Sequence, residues 1–298
     1  TKPKMKEETA PFRVPPMTSL TLDPFRSLKY LPSIPEQIDN VLLATGASSS
    51  MDYSIVEMIQ YDPAMAMAVL KVANTPIYGY SGQISSLQQA AGLLGPGMIK
   101  NTVLRIPILE RFSGKTALSV DYMQLWIHSG IVAAISGGLG RLIGEMESDV
   151  CFTAGLIHDA GVIALSTYFP AEFAKTQDFA DKNQVGLMEA EQQVLGFSHL
   201  EVAGEIMQAW GLPLQLSQVI LQCAKPAKNN THWELAGIVA LAKSFASEWG
   251  FPSGLKDIAS TERGGLLDLL GVSEKKLDQW EPELKKYAEF ALDTMKIP

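Results

Sequence analysis

Apolar residues recur at helical spacing along most of this chain. In LPSIPEQIDNVLLAT, Ile38, Val41 and Leu42 fall on one helix face, which predicts a helix starting near Pro35. Asp52 is placed to cap a second, carrying Ile55, Val56, Met58 and Ile59. Asp62-Pro63 joins an N-cap to a first-turn proline, so a third helix should run to Val72 with Met65, Val69 and Val72 inward. Asn74-Thr75-Pro76 ends it, because the residue before a proline is pushed out of the α region. Residues 87–94 resume the period, Gly95-Pro96-Gly97 breaks it, and residues 98–112 continue with Pro107 as a kink or end.

The second half repeats the pattern. Residues 116–144 predict a long helix with Leu125, Trp126, Ile131, Val132 and Ile135 on a broad apolar face, where Gly137, Gly138 and Gly140 indicate a close helix contact or a bend. A single helix is expected from Ser148 until Tyr168-Phe169-Pro170 closes it, followed by helices over 171–182 and 186–195. Ser198-His199-Leu200-Glu201 fits a capping box, and Trp210-Gly211-Leu212-Pro213 a helix stop. Further helices are predicted over 214–223 and 233–249, one capped by Ser273, and a last one opened by Pro282 and running to about Met295. No stretch alternates with period two, so the fold class is all-α, a multi-helix body without sheet.

Composition narrows the function classes. A formal charge of −8, with no basic block beyond Lys2, Lys4 and Lys6, argues against nucleic acid or an anionic membrane surface as partner. The apolar segments are interrupted by Gly, His, Asp or Arg before they reach a spanning length. Two cysteines, Cys151 and Cys223, and no secretory pattern point to a reducing, cytoplasmic setting. Neither cysteine has the surroundings of a nucleophile. Residues 1–27 are rich in Pro, Lys, Glu and Thr and read as an arm or linker, either a trimmed terminus or the join to an upstream receiver or sensor domain.

The chemistry-bearing stretch is FTAGLIHDAGVIAL, where His158 and Asp159 interrupt an apolar run. Successive residues on a helix point about 100° apart, so the two can approach one ion from two sides. A buried carboxylate is costly unless a metal, a cation or several donors compensate it, so the pair requires partners elsewhere. Taken alone, His128 on the apolar face of its helix reads as a core histidine bonded to a carbonyl. Asn74 reads as a helix cap with local hydrogen bonds. His232 reads as a surface or cap residue.

Five pieces in order, Asp62-Pro63 with AMAMAVLKVANTPIYG, the LQQAAGLLG of residues 87–95, Trp126 with His128, the GLIHDAG of residues 155–161, and His199 before AWGLP, resemble the HDOD family. That family is a branch of the HD metal-dependent phosphohydrolases regarded as having lost catalysis. The resemblance implies an HDOD domain over 28–226, with an N-terminal helical lobe (28–112) and an HD-like core (113–226), followed by a helical extension over 227–298. By motif, His128 matches the first metal ligand of catalytic HD proteins, His158 and Asp159 the central dyad, and His199 the extra histidine of the two-metal branch. In hydrolytic relatives such ions activate water for phosphoester cleavage.

The departures carry as much weight. Gln222 and Cys223 stand where the two-metal branch has a histidine pair, and Ala242-Lys243 stands where a last acidic ligand is expected. At an effective dielectric of about 20, an ammonium roughly 4 Å from a divalent ion is repelled by several kcal/mol. Lys243 is therefore expected to stand in for the metal and pair with Asp159, and no cofactor is expected. The counter-reading is that His128, His158, Asp159 and His199 still hold Fe, Mn or Zn.

The resulting expectation is a non-catalytic signal-transduction output module. It would dock a signalling protein or a nucleotide-like ligand, and could also form a homodimer. The alternatives are a metal-dependent phosphohydrolase acting on a nucleotide or cyclic dinucleotide, and an inert scaffold.

Overall fold

The structure is a computed structural model and describes residues 19–34, 57, 59–106, 120–144, 146–256 and 262–295. The helices expected over 35–45 and from Asp52 lie outside the described residues apart from the helical Glu57 and Ile59; the helix expected over 98–112 follows the break at Gly95 (φ 71°) and ends at Val103, before Pro107, which lies outside the described residues. In chain order the α-helices are α1 (Asp23–Arg26), α2 (Pro63–Ala73), α3 (Leu87–Val103), α4 (Tyr122–Ile143), α5 (Ser148–Ile157), α6 (Ala160–Tyr168) and α7 (Pro170–Asn183). They continue with α8 (Leu187–Val194), α9 (His199–Ala209), α10 (Leu214–Gln222), α11 (Trp233–Glu248), α12 (Arg263–Leu270) and α13 (Glu274–Met295). No strand occurs among the described residues, as the missing period-two pattern required.

The long apolar helix α4 is the axis of the fold. It packs against α5, α11 and α13. Its glycines permit this, since a Cβ on Gly140 would stand 2.6 Å from Cys151 Sγ and one on Gly138 2.6 Å from the Tyr287 ring. The glycine cluster therefore marks close contact on two sides rather than a bend. Two stretches, Tyr122–Ile143 and Ser148–Tyr168, have the length and hydropathy of membrane spans, but 78% and 94% of them is buried inside this helical body.

The strong local signals produce the elements they predict. The Asp62 side chain accepts a hydrogen bond from Met65 N at 2.8 Å and starts α2. Ser198 and Glu201 form the reciprocal capping box of α9. Asn74 closes α2, donating from Nδ2 to the Leu70 and Ile84 carbonyls and accepting from Gln83 N and Ile84 N, which fixes the loop that follows.

Three further expectations differ from the structure. The stretch from Ser148 is two helices, α5 and α6, broken at His158-Asp159. The final segment is one helix running through Pro282; the Asp278 carbonyl that loses its helical donor lies on an exposed residue, where water can satisfy it. The last part of the expected arm is packed: Phe25 is fully buried, with its ring 4.9 Å from that of Phe169 and 6.2 Å from that of Phe197. Beyond it, Leu28 O accepts from Trp210 Nε1 at 2.6 Å and Tyr30 O from the Tyr168 hydroxyl at 2.9 Å.

Candidate functional site

The break between α5 and α6 is what forms the site. A Cβ on Gly161 would stand 1.8 Å from the His199 carbonyl oxygen, so only glycine lets the start of α6 meet α9 so closely. His158 stands at the C-cap position of α5 and Asp159 at the N-cap position of α6, where its side chain makes no capping bond. Both side chains turn toward α4, which carries His128, and α11, which carries Lys243.

The imidazoles are fixed by the same device. His128 Nδ1 lies 2.7 Å from the Phe251 carbonyl, and His158 Nδ1 lies 2.7 Å from the Gly155 carbonyl. A carbonyl can only accept, so each Nδ1 carries its proton and each Nε2 presents a lone pair in the neutral ring. The Nε2 atoms converge on one carboxylate oxygen: His158 Nε2 is 3.0 Å and His128 Nε2 3.9 Å from Asp159 Oδ2. None of these three buried atoms has a hydrogen bond of acceptable geometry. Lone pairs facing a carboxylate repel it unless a positive charge intervenes.

The electrostatics reflect that demand. Burial lowers the His128 pKa to about 4, with the neighbouring His158 acting in the same direction. Burial alone would raise Asp159, but positive charge beside it, on the His158 ring in its protonated form and on Lys243, outweighs burial and holds the carboxyl well below the usual range. Lys243 Nζ lies 3.8 Å from the other carboxylate oxygen, Oδ1. Its partial exposure of 19%, against 1% for Asp159, places the amine at the solvent-side edge of a buried acid.

Among the described residues, His128, His158 and Asp159 are the one group with ligand atoms near enough to share an ion. His199 is not part of it. Its Nδ1 lies 2.8 Å from Glu191 Oε2, which also accepts from the His199 backbone N–H at 2.9 Å. Glu191 is fully buried, although in the sequence it lies in the polar MEAEQQ with no pattern to mark it. Its only legible signal is its place eight residues before a histidine. His232 stands at the N-cap of α11 in the left-handed region, with φ 60°, and its side chain makes no capping bond. Cys223 donates to the Ile220 carbonyl, and burial pushes the Cys151 thiol up to about 12, so both are poor nucleophiles.

In donor type and direction the triad fits a divalent transition metal: two imidazole nitrogens, each oriented by a carbonyl behind it, and one carboxylate. The charge does not fit. Asp159 contributes one negative charge and Lys243 already matches it. An ion on Oδ2 would share its carboxylate with the ammonium on Oδ1, and like unit charges about 4–6 Å apart repel by about 3–4 kcal/mol at a dielectric of about 20, twice that for a divalent ion.

Residues 31–226 match the HDOD domain family, which is well over half of the chain. The chain belongs to the HDOD family. Three solved structures share its fold. The MmoQ response regulator of Methylococcus capsulatus aligns with a TM-score of 0.66 at 20% identity, over 85% of this chain and 98% of its own. A virulence factor from Campylobacter jejuni gives 0.60 at 18%, over 87% and 100%. An HDOD domain protein of unknown function from Geobacter sulfurreducens gives 0.54 at 19%, over 93% and 97%. At these identities the likeness is one of fold. A comparison with curated proteins finds no match. The HDOD match ends at residue 226, so Lys243 and the Phe251 carbonyl that orients His128 both come from the segment beyond it.

Proposed function

We propose that this HDOD chain is a signal-transduction output module that acts by binding a partner protein or a nucleotide-like ligand, not by turnover. The observation that carries this reading is the sealing of the site. His128, His158 and Asp159 are 0–1% exposed, so a phosphoester has no approach to the atoms that would activate water. The surface offers exposed apolar points for contact. Ile77, 85% exposed, and Tyr80 project from the loop that Asn74 fixes, and Phe290 projects from α13. Preorganised, exposed apolar side chains suit recognition, because little ordering entropy is lost on binding.

The second reading is a metal-dependent phosphohydrolase acting on a nucleotide or cyclic dinucleotide, favoured by the three converging ligand atoms. The two are separated by assaying the full chain against generic phosphomonoester and phosphodiester substrates and cyclic dinucleotides with Mn2+ or Fe2+. The binding reading expects no turnover beyond that of Asp159→Asn. Hydrolysis that Asp159→Asn abolishes would replace it with the enzymatic one.

A further inference from the structure

We propose that the Lys243 ammonium is the resident cation of the His128–His158–Asp159 site and excludes divalent metal from it. This inference does not depend on what the module binds. A chain could dock a partner with or without a metal, and the hydrolysis assay above is a separate measurement.

Three observations carry it. Two lone-pair nitrogens and a carboxylate oxygen meet in a buried place without hydrogen-bond satisfaction, an arrangement that requires positive charge. Lys243 supplies one such charge, 3.8 Å from the same carboxylate and from the solvent-side edge. The amine and the carbonyl that locks His128 belong to α11 and the loop just after it, beyond the family match. One segment thus orients a ligand ring and brings the competing charge.

That segment is tied down. Leu187 N donates to Lys256 O at 2.9 Å, and Lys256 Nζ donates to Ala180 O at 3.1 Å. Substitution at Lys243 should therefore change the charge while leaving the ligands in place. Charge, and not a missing ligand, then sets metal affinity. Removing the ammonium while keeping a long side chain should leave a three-ligand site of the His-His-Asp type, one that retains open coordination positions.

The test uses the full chain and Zn2+ in equilibrium dialysis, with Co2+ absorption as a report on coordination. Lys243→Met is expected to bind about one Zn2+ at least a hundredfold more tightly than the unsubstituted chain, a difference of about 2.8 kcal/mol at 1.4 kcal/mol per tenfold, and to gain thermal stability with the metal. Lys243→Arg keeps the charge and should bind no better than the unsubstituted chain. Lys243→Met combined with Asp159→Asn should lose the gain.

Two results overturn the proposal: stoichiometric, tight Zn2+ binding by the unsubstituted chain, or a folded Lys243→Met chain whose affinity is unchanged. If Lys243→Met does not fold, Lys243→Gln decides in the same way, and the affinity of the unsubstituted chain stands as an independent test.

Discussion

Lys243 Nζ lies 3.8 Å from Asp159 Oδ1, joining a helix beyond the family match to a buried carboxylate at the break between α5 and α6. The two ends of this pair differ in freedom. If Asp159 is lost, the amine can turn to solvent, but if Lys243 is lost, Asp159 keeps a buried charge. Breaking one side of a buried pair costs about 3–5 kcal/mol, and partial exposure of the amine reduces that. Urea unfolding should therefore show Lys243→Met less stable by roughly 2–4 kcal/mol in metal-free buffer, with a double-mutant cycle to Asp159→Asn giving a non-additive coupling.

Glu191 accepts two hydrogen bonds from His199 in full burial. Glu191→Gln should cost about 1–3 kcal/mol in stability by weakening two charge-assisted bonds. Because His199 lies outside the triad, His199→Gln in the Lys243→Met background should leave Zn2+ affinity within about twofold, a change of under 0.5 kcal/mol. A loss of tenfold or more would restore His199 as a ligand.

Asp62 sets a pH dependence. Burial raises its pKa from 3.8 to about 6 against the opposing hydrogen bonds from Ser33 and from Met65 N. The folded chain thus holds a proton that the unfolded chain releases earlier. Its contribution is fully present below about pH 4 and lost as pH rises through about 6, amounting to about 3 kcal/mol at 1.36 kcal/mol per unit. Chemical denaturation from pH 4 to 7.5 should show that decline, and Asp62→Asn should flatten it.

Gly161→Ala tests the close approach that forms the dyad break. Its Cβ would meet the His199 carbonyl at 1.8 Å, a backbone atom that cannot rotate away. The substitution should cost more than about 3 kcal/mol, at or above the upper end of ordinary overpacking. It should also disturb His158 and Asp159 in NMR spectra before distant residues.

Much of this was legible in the sequence because it is local. Asp62-Pro63, the Ser198/Glu201 box and the Gly211 stop satisfy helix ends within four residues, and the structure keeps them. His128, His158 and Asp159 were legible through motif order, and the expected Lys243–Asp159 pair is present at 3.8 Å. The carbonyl reading of His128 holds at Nδ1, while its Nε2 lies close to the nitrogen of His158 and the carboxylate of Asp159.

What escaped was tertiary. The break at His158-Asp159 is set by α9 pressing on Gly161, the partner of His199 by the buried Glu191, and the burial of Phe25 by two rings far along the chain. None leaves a periodic trace. Pro282 misled because a proline on an exposed face can be accommodated inside a helix.

On the proposal above, a lysine charge occupies the place of a metal in this HDOD chain. The most direct check is the metal content, by plasma mass spectrometry, of the full-length chain purified without chelator from metal-supplemented cells. A content far below stoichiometric for iron, manganese and zinc alike is predicted. One equivalent of any of them, lost on Asp159→Asn, would contradict it.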